Sequence, residues 1–192
     1  MNKSLFCAGL LTLSSSALAE EGFSVSVNST LAGISYEDTD GKTDTSSMAI
    51  PLTFAVDYVL DRSNKISASW RLIDNRIKAK VGKVGATLNG HQLSLSWLRK
   101  MRLTRYVQPS LGFGVRSSFI EATNKFSIDD EGFLLNMLND TEDTYLSAML
   151  SVTNDWKISD QGWRFNTGFD YDLPLDNGIQ GFTLLVGIKK AF

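Results

Sequence analysis

The strongest constraint in this sequence is a period of two. From Met48 the even positions read Met48, Ile50, Leu52, Phe54, Val56, Tyr58 and Leu60, and the odd positions between them are Ala49, Pro51, Thr53, Ala55, Asp57 and Val59. Successive side chains of a strand point to opposite faces, so this segment has one apolar face and one that is mostly small or polar. The pattern returns in Leu93, Leu95 and Trp97, in Leu111, Phe113, Val115 and Phe119, and in Leu146, Ala148, Leu150, Val152 and Trp156. It closes the chain with Trp163, Phe165, Phe169 and Tyr171, then Phe182, Leu184, Val186 and Ile188. With Phe23, Val25, Val27 and Leu31, and with Ile66, Ala68, Trp70 and Leu72, eight strands are expected and the fold is all-β.

Alternation also fits a soluble sandwich, whose apolar face lies in the core. Three features favour a closed barrel in lipid. The polar face carries Asp57, Arg71, Arg116, Asp155, Asp170 and Lys189 among many Gly and Ser, which suits a narrow lumen. Most segments supply the roughly 9 to 11 residues that a tilted strand needs to cross a bilayer. The connections alternate in length, with Glu37–Ser47 and Glu121–Asp143 long and Asp61–Asn64 and Ser159–Gly162 short, although the last outer one, Pro174–Gly178, is also short. Short turns of such a barrel are periplasmic and long loops extracellular. On that topology Phe23, Tyr58, Trp70, Trp97, Trp156, Trp163 and Phe192 form an aromatic girdle at the periplasmic strand ends, where rings meet lipid headgroups. The expected architecture is a closed eight-stranded antiparallel up-and-down transmembrane β-barrel with a polar lumen. Its inward charges are expected to pair into a plug, because lone buried charges are costly; a narrow or gated path for small solutes is the alternative.

Composition is consistent with this once it is taken face by face. The mean hydropathy of −0.07 averages an apolar and a polar side, and no run of eighteen apolar residues follows the first twenty. Lys3, the apolar run Leu5–Leu13 and the small-x-small step Ala17-Leu18-Ala19 mark residues 1–19 as a cleaved secretory signal, leaving 20–192 as the barrel domain. The single cysteine, Cys7, lies inside that signal, so the mature chain has no disulfide to draw on. A net charge of −2 without a basic patch flanked by stacking aromatics argues against a nucleic-acid partner.

A signal, eight alternating strands and a last strand, Gly181–Phe192, that stops on a terminal aromatic resemble the small eight-stranded outer-membrane barrels of Gram-negative bacteria, the OmpA/OmpX type. The resemblance spans the whole mature chain and is architectural. It implies a place in the outer membrane, and it implies that Phe182, Leu184, Val186, Ile188 and Phe192 form the signal read by the barrel assembly machinery. Lys190 departs from that pattern, since an apolar residue is usual there, and puts the weight on Phe192.

Chemistry-bearing motifs are few. Some barrels of this class modify lipid A, but the lone histidine, His91, is followed by Gln92 and Leu93, and lacks a serine at the required spacing or an orienting acid. Pairing Trp97 with Val107 would set it opposite Phe113. No enzyme, cofactor or metal site is expected: one His and no mature Cys offer no ligand cluster, and Asp129, Asp130 and Glu131 lack EF-hand spacing. A tight turn at Gly82–Gly85 would pair Leu72 with Leu95 and Trp70 with Trp97, and project Arg76, Lys78 and Lys80 as an outward stripe. That stripe is a candidate lipopolysaccharide contact through charge-assisted bonds to phosphate, or else a solvated hairpin edge. Loop 121–143 carries acids together with Phe133, Leu134, Leu135, Met137 and Leu138, read as a short helix over the barrel mouth or an exposed patch for an extracellular partner.

Overall fold

The computed structural model describes residues 22–37, 43–49, 51–77, 84–101, 106–175 and 179–192; the expected signal, 1–19, lies outside them. The strands are β1 (Phe23–Glu37), β2 (Thr43–Ala49), β3 (Leu52–Val59), β4 (Asn64–Ile77), β5 (Val84–Lys100), β6 (Val107–Ile128), β7 (Leu134–Met137), β8 (Thr141–Lys157), β9 (Trp163–Pro174) and β10 (Ile179–Ala191). All pairings are antiparallel, and β10 pairs with β1, which closes the sheet. Both β2 and β3 pair with β1 in one register, Ala32 opposite Ala49 and Ser29 opposite Leu52, so together they make a single stave. Its interruption falls at Pro51, which has no N–H for the ladder; the Pro51 carbonyl accepts the Thr30 N–H at 3.0 Å and the Thr30 hydroxyl at 2.6 Å. With β7 standing beyond the barrel on β6, the wall has eight staves.

A circuit of register pairs from Ser24 through Asp57, Ser67, Ser96, Gly114, Met149, Asp172 and Gly181 returns to β1 at Ile34, ten residues further along. An even stagger keeps inward residues inward all the way round, and one of this size tilts the strands by about 40°. Closure also gives each of the eight staves a hydrogen-bonded neighbour on both sides, the condition for crossing lipid. The two faces separate cleanly: Leu95, Phe113 and Leu150 are 52–60% exposed on the outside, whereas Thr53, Arg116 and Ser118 are at most 1% exposed within.

Three expectations are corrected. Leu72 lies opposite His91 and Trp70 opposite Leu93, while Trp97 lies opposite Phe113 and His91 opposite Phe119. Both hairpins are therefore displaced by an even number of residues. Alternation decides the face, but turn geometry decides the register. Trp70 does not join the end ring: it is the seventh residue of β4, in the middle of the apolar belt, stacked on Phe54 at 5.7 Å. The third correction concerns 121–143, which is largely strand and contains no helix among its described residues. A left-handed Asn124 (φ 51°) lets β6 continue to Ile128, and β7 replaces the expected helical turn. Between them the Asp129 carboxylate accepts the N–H groups of Glu131 (3.0 Å) and Phe133 (2.8 Å), which fixes a tight reversal.

Candidate functional site

The inward face stacks four layers along the barrel axis. Within three residues of the turn end lie Asp57, Lys65, Asp155 and Lys189. Lys189 Nζ bonds Asp57 at 2.8 Å and both Asp155 oxygens at 2.8 and 2.9 Å; Lys65 Nζ reaches Asp57 at 3.1 Å and Asp155 at 3.7 Å. Asn166 donates to Asp155 at 2.6 Å. Two cations and two anions, each nearly fully buried, leave this layer neutral, the arrangement under which buried charge is tolerable.

Above it the wall turns to serine and threonine around a cavity of about 40 Å³, lined among others by Ser26, Asn28, Ser67, Ser94, Ser151 and Thr153. That is room for roughly three waters. The Asn28 and Thr153 side-chain oxygens are buried there with no protein partner. The third layer is again two cations and two anions. Asp170 receives Arg116 at 2.8 Å, Arg71 at 3.4 Å and the Ser151 hydroxyl at 2.7 Å, and Asp172 pairs with Arg116. Arg71 also donates to Thr53, Gln92 and Thr183, so its fork is filled from three staves. Toward the long-loop end Ile73, Leu88, Ile120, Ala122 and Tyr145 pack into an apolar layer.

All six inward charges named from the sequence thus line the lumen, in two groups. Lys65, Asp172 and the apolar layer were missed. Lys65 and Asp172 have the same parity as Arg71 and Asp170 and lie one residue beyond where the apolar alternation begins in β4 or ends in β9, so extending each strand by a single step finds them. Nothing local marks the apolar layer, because Ile73, Leu88 and Ile120 break the alternation of their own strands.

The outer surface bears the remaining candidates. His91 stacks on Phe119 with ring centroids 4.8 Å apart, and its cross-strand neighbours are Leu72 and Phe119. Arg76 is exposed on β4, opposite Thr87, while Lys78 and Lys80 lie outside the described residues. Just above the belt, Asp74, Asn89, Glu121 and Glu142 form an outward row in register across four staves. On β10 Phe182, Leu184, Val186 and Ile188 are exposed in alternation, and Phe192 meets Phe23 at 6.2 Å. Phe23, Tyr58, Trp156 and Trp163 ring the turn end with Phe192, and Trp97 stands a little higher against Phe113. At the far end the β6–β7 hairpin exposes Phe133, Leu134 and Met137 by 61–75%.

No protein-family model matches the sequence, and no curated protein sequence does either. Solved structures do. Neisserial surface protein A matches with a TM-score of 0.60 and 14% identity, over 89% of this chain and 97% of that one. The outer membrane protein OprG of Pseudomonas aeruginosa gives 0.58 and 12%, over 90% and 96%. Ail, the attachment invasion locus protein of Yersinia pestis, gives 0.56 and 11%, over 90% and 100%. The fold is that of the small outer-membrane β-barrels, and the apolar belt is the surface that such a barrel turns to lipid.

Proposed function

We propose that the chain is an integral outer-membrane barrel with no enzymatic role, closed to solutes, that presents its β6–β7–β8 projection to a partner outside the cell. The observation that carries this reading is the filled lumen: two neutral charge layers and an apolar one lie in series across a barrel already narrow enough for side chains to fill. The projection supports the second half, since a pinned turn holds Phe133, Leu134 and Met137 in water at a cost that only contact would recover. Among the structural neighbours, Ail is by name an attachment protein and Neisserial surface protein A a surface protein, whereas one fold hosts many roles. A narrow gated channel is the second reading, and the serine-lined cavity is what favours it. Two measurements test the proposal. Purified protein in planar bilayers is expected to show no reproducible conductance, and a steady open state overturns closure. Deleting Asp129–Asp140 is expected to abolish adhesion by cells that display the barrel while leaving its heat-modifiable gel mobility intact; unchanged adhesion overturns the projection's role.

Two finer partner assignments belong to the same reading. The stripe Arg76, Lys78 and Lys80 contacts lipopolysaccharide phosphates, and replacing all three with Gln is expected to lower lipopolysaccharide co-purification. The outward face of β10 with Phe192 is the element recognised by the assembly machinery, so Phe192→Ala is expected to slow insertion in vivo more than folding into vesicles.

A further inference from the structure

At the turn end of the barrel, two exposed guanidinium groups stand without an ion pair to any described residue. Arg99 is the penultimate residue of β5 and shares its outward face with Trp97; it is exposed. Arg62 is exposed in the turn between β3 and β4. The two are neighbours, because Asn64 lies opposite Arg99 and the Lys100 N–H donates to the Ser63 carbonyl at 2.6 Å, which seats that turn against the end of β5. Neither guanidinium makes an ion pair with a described residue. The acid adjacent in sequence, Asp61, is turned into its own loop, where it accepts the Ser63 N–H at 2.6 Å, the Asn64 N–H at 2.8 Å and the Asn64 amide at 2.7 Å.

The surroundings say what would supply the missing anion. Leu60, Met101 and Trp97 are exposed beside the pair, so a molecule bound there meets cations at one end and apolar side chains at the other. That is the profile of a phospholipid, and Arg matches phosphate bidentately. Further round the rim Lys190 Nζ sits 5.4 Å from the Trp163 ring centroid and 5.7 Å from that of Phe192, placing another outward cation in the aromatic collar. On the opposite rim the outward row offers Asp74, Glu121 and Glu142, with Arg76 the exposed cation beyond it on β4. The turn end is the periplasmic one in a barrel of this architecture.

We propose that Arg62 and Arg99 form a binding site for the phosphate of an anionic phospholipid in the inner leaflet, with Leu60, Trp97 and Met101 against its acyl chains. The proposal rests on the outer-membrane reading of the fold. In the test, the full chain is folded into phosphatidylcholine vesicles containing phosphatidylglycerol, extracted in mild detergent, and its retained lipid identified by mass spectrometry. Enrichment of phosphatidylglycerol by roughly fivefold per cation is expected, falling to the bulk ratio in Arg62→Gln/Arg99→Gln. Retained lipid at the bulk ratio in the unmodified protein, or enrichment that survives in the double variant, overturns the site. Sedimentation with isolated peptidoglycan is the second arm: binding there that the double variant loses, without lipid preference, gives the patch to the cell wall and also overturns it. Heat-modifiable mobility of each sample in pure phosphatidylcholine keeps the two readings apart, since a chain that never inserts there overturns the membrane reading itself.

Discussion

Asp170 is held between Arg71 and Arg116 while a serine hydroxyl occupies its other oxygen. Removing that carboxylate leaves two buried cations sharing Asp172, and breaking such a cluster costs about 3–5 kcal/mol. Asp170→Ala is therefore expected to lower the unfolding free energy obtained from urea titration by that amount. A milder effect of opposite sign is expected on the outer face. Glu121 and Glu142 are directly opposite on neighbouring staves, and like charges so placed destabilise a sheet. Glu142→Lys should stabilise by roughly 0.2–1 kcal/mol, a gain that vanishes at high salt. In the β3–β4 turn, the Asn64 side chain and the backbone N–H groups of Ser63 and Asn64 hold the Asp61 carboxyl below its ordinary value of 3.8. A group whose pKa is lowered by folding contributes stability above its unfolded value and loses it as pH falls through the folded one. The difference in unfolding midpoint between the native chain and Asp61→Ala is thus expected at pH 7 and should shrink below the ordinary carboxylate range.

At the scale of elements, the longest strands stand side by side. Both β5 and β6 rise past the belt, but β9 stops at Pro174, opposite Ser147, so the upper part of β8 and β7 continue with no neighbouring strand on that side among the described residues. What keeps this extension regular is its turn. Asp129→Ala removes the acceptor for two backbone N–H groups, and loss of such a cap costs about 1 kcal/mol locally. Hydrogen exchange is expected to rise at Phe126–Met137 while the barrel amides stay protected. The expectation of a loop or short helix here failed because apolar residues at Phe133, Leu134 and Met137 carry no clear period, and because the left-handed Asn124 that lets β6 continue has no signature in composition.

For the whole molecule, the layering of the lumen implies a division of labour. Charge layers fix the staves relative to one another, since Lys189 ties β10 to β3 and β8 and Arg116 ties β6 to β9. Water and ions, by contrast, are stopped most effectively where the packed side chains offer them little to replace their hydration, at Ile73, Leu88 and Ile120. Leu88→Asn/Ile120→Asn is expected to raise planar-bilayer conductance above the baseline of the unmodified protein; unaltered current would show that the salt-bridged layers suffice as the barrier. The division between what chain and fold decide is equally physical. A two-residue period is local, so the sequence by itself determined that the chain is built of strands, which face each residue takes, and hence that Asp57, Arg71, Arg116, Asp155, Asp170 and Lys189 share one lumen. Which charge meets which was decided only by the tertiary structure. Pairing depends on the ten-residue stagger around the closed wall, and that stagger is the sum of turn geometries and bulges which alternation leaves free.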